Sequence, residues 1–176
     1  SSDVCSSDLK IQMFNKKKEH KISIVMGSQS DYSTMKYSEK VLKILKIKNE
    51  KKIISAHRTP KRMYKFAETA EKNNISVIIA GAGGSAHLPG MLAALTRIPV
   101  IGVPIESKKL KGLDSLLSIA QMPKGVPVGT VAIGKDGAIN AALFAAAIIS
   151  VSDLKIRKNL NIWRNKQSYS VKKKPR

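Results

Sequence analysis

The chain has 176 residues, of which 43% are hydrophobic, a formal net charge of +20, and a single cysteine, Cys5. That length fits one compact α/β domain and is too short for two ordinary ones. One cysteine excludes an internal disulfide framework and a cysteine-rich zinc site, and no apolar run approaches the roughly 20 residues that span a bilayer.

The opening SSDVCSSDL repeats SSD and has neither helical nor strand periodicity. Residues 1–12 are expected to be an expression or assembly scar within a disordered leader, 1–20. The first apolar residues are scattered among Ser, Asp and Lys, unlike a secretory signal, so the expected compartment is the cytoplasm. His20, just before the first strand, is expected to be solvated.

From Lys21 strands and helices alternate. ISIVM (22–26) is a β-branched strand ending at Gly27, and 30–46 carries Met35, Val41, Leu42 and Leu45 at near-helical spacing. KIISA (52–56) reads as the second strand. A helix follows over 59–74, with Thr59 at the N-cap and Pro60 at the first helical position, where its missing N–H costs nothing. ISVIIAGA (75–82) is a third strand, LPGMLAAL (88–95) a short helix and PVIGVP (99–104) a fourth strand. After a variable-looking IESKKLKG come a helix over 113–122, a fifth strand over 128–133 and an alanine-rich helix over 136–150. This alternation predicts a three-layer αβα domain over 21–151. Its core is a flavodoxin-like doubly wound sheet of about five parallel strands, whose ligands bind outside the strands' carboxyl ends.

A last helix is expected over 152–168, capped by Ser152, with Ile156, Leu160 and Trp163 forming an i, i+4, i+7 stripe. Two packings are open to it, on a partner subunit or on its own domain. Small residues almost all round 138–149 permit close helix approach, which points to burial in an oligomer. Residues 169–176 form a basic tail, and 151–176 hold nine basic side chains against one acidic. Such charge attracts polyanions, but the lysines lack interleaved aromatics and follow no nucleic-acid motif. Solvated lysine faces are the simpler reading.

Each distinctive motif falls at a strand's carboxyl end. In GSQSD (27–31), free helix-start amides with Ser28 and Ser30 suit an anion, and Asp31 either caps the helix or accepts from sugar hydroxyls. Ordinary capping explains the same pattern. In SAHRTP (55–60), which opens with Ser55, Arg58 offers a permanent donor fork for phosphate and His57 can exchange a proton near neutral pH. In AGAGGSAHLPG (80–90), three glycines within four positions, Gly81, Gly83 and Gly84, let the backbone approach a ligand closely, and a run of unshielded amides up to Ser85 suits a carboxylate or small neutral molecule. His87 there is either a second pocket histidine or a loop-ordering one. SIAQMPKGVPVG (118–129) is expected to wall the pocket with Met122, Pro123 and Val126. Metal-ligand spacing is lacking, as are a Ser–His–acid triad and a G-x-S-x-G elbow.

GSQSD, SAHRTP, GAGGSAHLPGM and SIAQMPKGVPVGT, in this order, closely resemble the 5-(carboxyamino)imidazole ribonucleotide mutases of purine biosynthesis, the PurE family, over about residues 21–167. Ser85 stands where that family usually has alanine and Ala120 where it has valine. The resemblance implies a flavodoxin-like subunit of a homo-octamer and a carboxyl transfer from the exocyclic nitrogen to ring carbon 4 without metal, cofactor or ATP. It implies His57 as the catalytic residue and Ser28, Asp31 and Arg58 as substrate-binding residues. Ser30, Ser55, Gly83, Gly84, Ser85 and His87 complete the expected pocket. The alternatives are direct carboxylation of aminoimidazole ribonucleotide by carbon dioxide, a basic nucleic-acid-binding module using the tail, and a flavin carrier.

Overall fold

In the computed structural model, which describes residues 19–175, β1 covers Lys21–Met26 and is buried from Ile22 to Met26. A 3-10 turn, Gln29–Asp31, leads into α1 (Tyr32–Ile44), followed by β2 (Lys48–Ile53), α2 (Pro60–Thr69), β3 (Ile75–Gly83) and α3 (Leu88–Leu95). Then come β4 (Val100–Ile105), α4 (Leu113–Ala120), β5 (Gly129–Thr130), α5 (Gly134–Ser150) and α6 (Leu154–Ser170). The strands pair in parallel in the order β2-β1-β3-β4-β5, the flavodoxin-like doubly wound order, which reverses between β1 and β3. The expected scar, Cys5 and most of the leader lie outside the described residues.

Alternate residues of the central strands face opposite layers. Ile22, Ile24, Val77, Ile79, Ile101 and Val103 join the core under α1, α5 and α6. Val25, Ile78 and Val100 join the one under α2, α3 and α4. Both faces of these strands are therefore dry, which is why their sequences read as continuous apolar runs.

The second strand departs from the expected 52–56. It pairs with β1 from Lys21↔Lys48 to Met26↔Ile53. As an edge strand it carries polar residues on its open side, and the apolar Ile53–Ile54 pair ends it rather than opens it. The Ile54 N–H still donates to Met26 O at 2.8 Å. The fifth strand shrinks from six residues to two, opposite Ile101 and Gly102. The chain must turn at Gly134 (φ 73°) to start α5. Gly137 lies against the Ala132 carbonyl, where a Cβ would collide with backbone.

The carboxyl-terminal helix takes the packing on its own domain. Ile156 and Leu160 are 7% and 5% exposed, and Trp163 packs against the same cluster. Ala138, Ala141, Ala142, Ala145 and Ala146 of α5 are fully buried inside the chain, so the small residues serve close approach to α1 and β4 and need no second subunit. The cap is Asp153, not Ser152. Its Oδ1 accepts from the Lys155 and Ile156 amides at 2.8 and 3.1 Å, while the Ser152 hydroxyl donates back to Ile149 O. The helix runs two residues into the expected tail. His20 is bonded rather than solvated, its Nδ1 2.8 Å from Ser76 Oγ.

One buried charge is fully matched. Glu39 of α1 accepts from the Lys43 and Lys51 ammoniums at 2.6 and 2.8 Å and from the Tyr32 hydroxyl at 2.7 Å. These partners, Lys43 foremost, hold its carboxyl down at about 2 against the opposing effect of burial.

Candidate active site

The carboxyl ends of β1 to β4 surround one open pocket of about 520 Å³, and the candidate residues of GSQSD, SAHRTP and AGAGGSAHLPG line it. Ser28, Ser30 and Asp31 follow β1; Ser55, His57 and Arg58 follow β2; Gly83, Gly84, Ser85 and His87 follow β3. A right-handed crossover returns each strand in the same direction, so all these loops emerge at one edge.

The turn after β1 is a capping box. The Ser28 amide donates to Asp31 Oδ2 at 3.0 Å, while Ser28 Oγ accepts from the Ser30 amide and hydroxyl at 3.3 and 3.0 Å. Asp31 is only 9% exposed. Burial raises its carboxyl above the usual aspartate range, against the lowering pull of the Ser28 amide, the Ser30 hydroxyl, the Gly27 amide and Arg58. Capping and pocket lining are thus the same geometry here, since one carboxylate edge holds the turn.

After β2, Thr59 occupies the expected N-cap position, but its hydroxyl turns back to Ser55: it donates to Ser55 O at 3.0 Å and accepts from Ser55 N at 2.9 Å. This clasp closes a tight turn that leaves His57 and Arg58 exposed at its apex. Arg58 Nε donates to Ser55 Oγ (3.3 Å) and Nη2 to the Gly27 carbonyl (3.2 Å), which lays the guanidinium across toward β1.

The glycine loop differs from expectation. Gly84, at φ 65°, needs the left-handed region. Its amide is not free: it donates to Ser115 Oγ at 2.9 Å, and its carbonyl accepts from Ser118 Oγ at 3.3 Å. Ser115 is itself buried and donates to Ile105 O at 2.7 Å. Two serines of α4 therefore clamp the loop. His57 and His87 meet edge to face, with ring centroids 5.0 Å apart, planes at 89°, and His57 Nε2 2.9 Å from His87 Nδ1.

Three polar pocket residues were missed by the sequence reading: Glu106, Ser107 and Lys108, just past β4. Their position at a strand's carboxyl end was the available signal. The segment is tethered, since Ser107 Oγ donates to Asp114 Oδ1 at 2.7 Å and accepts from the Gly112 amide at 3.2 Å. That Ser107 bond, the largest influence, holds the Asp114 carboxyl below its ordinary range. Conversely, Met122, Pro123 and Val126 do not line the pocket. α4 carries the chain away from the carboxyl edge; Met122 packs on Gly90, and Gly125 and Pro127 line a separate groove with Ala93 and Thr96. Among the described residues no three His, Cys, Asp or Glu side chains gather as a metal site, and no helix is long and apolar enough to cross a membrane.

A flavodoxin-like sheet with two imidazoles, a carboxyl and a guanidinium gathered at its switch point defines an α/β protein with a polar pocket where such folds bind ligands. Comparison with known proteins takes this further. The family described as AIR carboxylase matches residues 21–170. The chain is 53% identical over 155 residues to the N5-carboxyaminoimidazole ribonucleotide mutase of Escherichia coli K12, covering 88% of this chain and 92% of that one. It is 55% identical over 150 residues to the protein of the same name from Bacillus subtilis (85% and 93% covered) and 60% identical over 144 residues to that from Pyrococcus abyssi (82% of each). The crystal structure of Treponema denticola PurE superposes with a TM-score of 0.78 at 26% identity, covering 85% of this chain and 92% of that one. The chain belongs to the AIR carboxylase, or PurE, family.

Proposed function

We propose that this protein is a 5-(carboxyamino)imidazole ribonucleotide mutase, an isomerase of de novo purine (IMP) biosynthesis, acting in the cytoplasm as a homo-octamer. The observation that carries the reading is the convergence of His57, Arg58, Ser28 and Asp31 on one pocket, in a chain whose relatives bear that name over nearly their whole length.

Arg58, laid toward the GSQSD turn, binds the nucleotide phosphate with the Ser28 and Ser30 hydroxyls; Asp31 accepts from the sugar. The carbon–nitrogen bond of the carboxyamino group breaks, its electron pair stays on nitrogen, and carbon dioxide departs. His57 supplies the proton that nitrogen takes up. Ring carbon 4 of the aminoimidazole then attacks the trapped carbon dioxide, and its proton returns to His57 as the ring regains aromaticity. No proton is consumed overall. Gly83, Gly84, Ser85 and His87 confine the gas beside the ring; well-oriented intramolecular reactions reach effective molarities on the order of 10⁵ M or more.

Assembly is supported by apolar side chains left exposed by the subunit: Leu110, Leu113 and Leu117 at and along α4, and Phe144 on α5. The test of function is a spectroscopic assay of purified protein with the carboxyamino ribonucleotide and no ATP. Conversion to the 4-carboxy isomer is expected. Product formed only from aminoimidazole ribonucleotide plus carbon dioxide would transfer the protein to the direct carboxylases.

A further inference from the structure

We infer that His87 is the positioning partner of His57: its Nδ1 accepts the proton on His57 Nε2, leaving His57 Nδ1 as the atom that exchanges a proton with substrate. The inference rests on the mutase reading for the reaction it serves, though the pair itself is a matter of geometry.

Two ring nitrogens 2.9 Å apart, as His57 Nε2 and His87 Nδ1 are, must share one proton. With none, two lone pairs face each other; with two, the N–H groups collide. The proposed chemistry selects the donor. His57 begins the cycle as an imidazolium and so carries a proton on Nε2, which makes His87 Nδ1 the acceptor. When His57 gives up its Nδ1 proton it remains the Nε2–H tautomer, with the bond to His87 unchanged. Neither ring has to rotate between the two halves of the reaction. Were Nε2 to deliver the proton instead, the bond would break and re-form in every turnover. Among the described residues no partner engages His57 Nδ1.

The acceptor stands on firm ground. His87 immediately precedes α3; its amide donates to Ser85 O at 2.9 Å and its carbonyl accepts from Met91 N at 3.0 Å. Below it the loop is clamped through Gly84 by Ser115 and Ser118. His57, by contrast, sits at an exposed apex and needs something beyond its own turn to fix the ring. Both roles open to His87 from the sequence are then filled by different atoms: its ring bonds to His57, while its backbone serves the loop.

Two substitutions and one spectrum test the inference. In His87→Asn the amide oxygen lies near the position of Nδ1 and accepts from His57 Nε2; in His87→Leu similar bulk carries no acceptor. Turnover should fall about 10²-fold in His87→Leu, the scale expected when a reacting group is misplaced by about an ångström, and about tenfold less than that in His87→Asn, with KM little changed in either. In ligand-free wild type labelled with ¹⁵N-histidine, His57 Nε2 should be protonated and coupled across the hydrogen bond to an unprotonated His87 Nδ1. The Nε2–H signal should persist in His87→Asn and vanish in His87→Leu. Equal losses in both variants, full turnover in His87→Leu, or an unprotonated His57 Nε2 in wild type would each overturn the inference; the last decides it even if His87→Leu fails to fold. A wild type that shows the coupled pair yet converts no ribonucleotide sinks the proposed reaction, and with it the catalytic use of the pair, while the hydrogen bond stands.

Discussion

Arg58 Nη2 donates to the carbonyl of Gly27 at 3.2 Å, so the guanidinium that follows β2 is laid against the turn that follows β1. The contact joins the loops that follow β1 and its edge neighbour β2 and puts a fixed cation in the pocket with the Ser28 and Ser30 hydroxyls. If its task is to hold phosphate equally in ground and transition states, Arg58→Ala should raise KM roughly 10- to 100-fold, the worth of a charged hydrogen bond, with a much smaller loss of kcat. Arg58→Lys should recover only part of this, because an ammonium cannot reproduce the fork that meets Ser55 and Gly27 together. Steady-state kinetics decide it; a fall in kcat with KM unchanged would place Arg58 in the chemistry instead.

Glu39 and Asp31 respond to acid in opposite senses. The Glu39 carboxyl is held at about 2 in the folded protein, below its unfolded value, so its contribution to stability is complete above the unfolded value and is lost as pH falls toward 2. Asp31 is raised by burial, so its ionised form costs stability at neutral pH, and protonation relieves that cost as pH falls through its raised value. Glu39→Gln should lower stability at pH 7 by about 2 kcal/mol, roughly 4–8 °C in Tm, and flatten the loss of Tm between pH 5 and 2. Thermal melts across that range are the check. On the binding side, KM should climb as acid neutralises Asp31, beginning above the ordinary aspartate range.

The assembly prediction moves with the structure. Ile156, Leu160 and Trp163 serve the subunit's own core, so Ile156→Ala should destabilise the fold by about 2–5 kcal/mol whatever the oligomeric state. Leu113 and Leu117, each 50% exposed and one turn apart on α4, belong to the apolar surface proposed above for a partner subunit. Leu113→Lys with Leu117→Lys should shift light scattering from octamer toward smaller species while circular dichroism stays native. An octamer unaffected by both charges would place the interface elsewhere.

The central strands were legible because β1, β3 and β4 are dry on both faces, leaving apolar runs that no helix period explains. β2 was not, because an edge strand of lysines and asparagine carries little hydrophobic signal, and the adjacent Ile53–Ile54 drew the boundary three residues too far. Site residues at strand ends were legible wherever unusual residue types clustered, as in GSQSD and SAHRTP. Glu106–Lys108 looked like an ordinary charged loop. Ser115 and Ser118 clamp Gly84 from α4, a contact between segments more than thirty residues apart that no local motif signals. The alanine helix read as partner-seeking, yet five of its alanines are buried within the chain, because small residues bring helices close within a chain as readily as between chains.

The basic tail should be dispensable. Lys172, Lys173 and Lys174 are exposed past the end of α6, and charges more than about 10 Å from a site are largely screened at ~0.1 M salt. Replacing all three with serine should leave kcat and KM within about twofold of wild type at moderate ionic strength. A large loss, or tight salt-sensitive binding of nucleic acid by the wild type, would revive a polyanion role.

The most direct measurement is turnover of the carboxyamino ribonucleotide by His57→Asn, alongside binding of the same ribonucleotide. Asparagine can hydrogen-bond but cannot exchange a proton near neutral pH, and general acid–base catalysis contributes about 10²–10⁴-fold. Isomerisation should fall by at least that factor while binding, fold and oligomeric state remain those of wild type. Near-normal turnover in His57→Asn would contradict the proton shuttle outright.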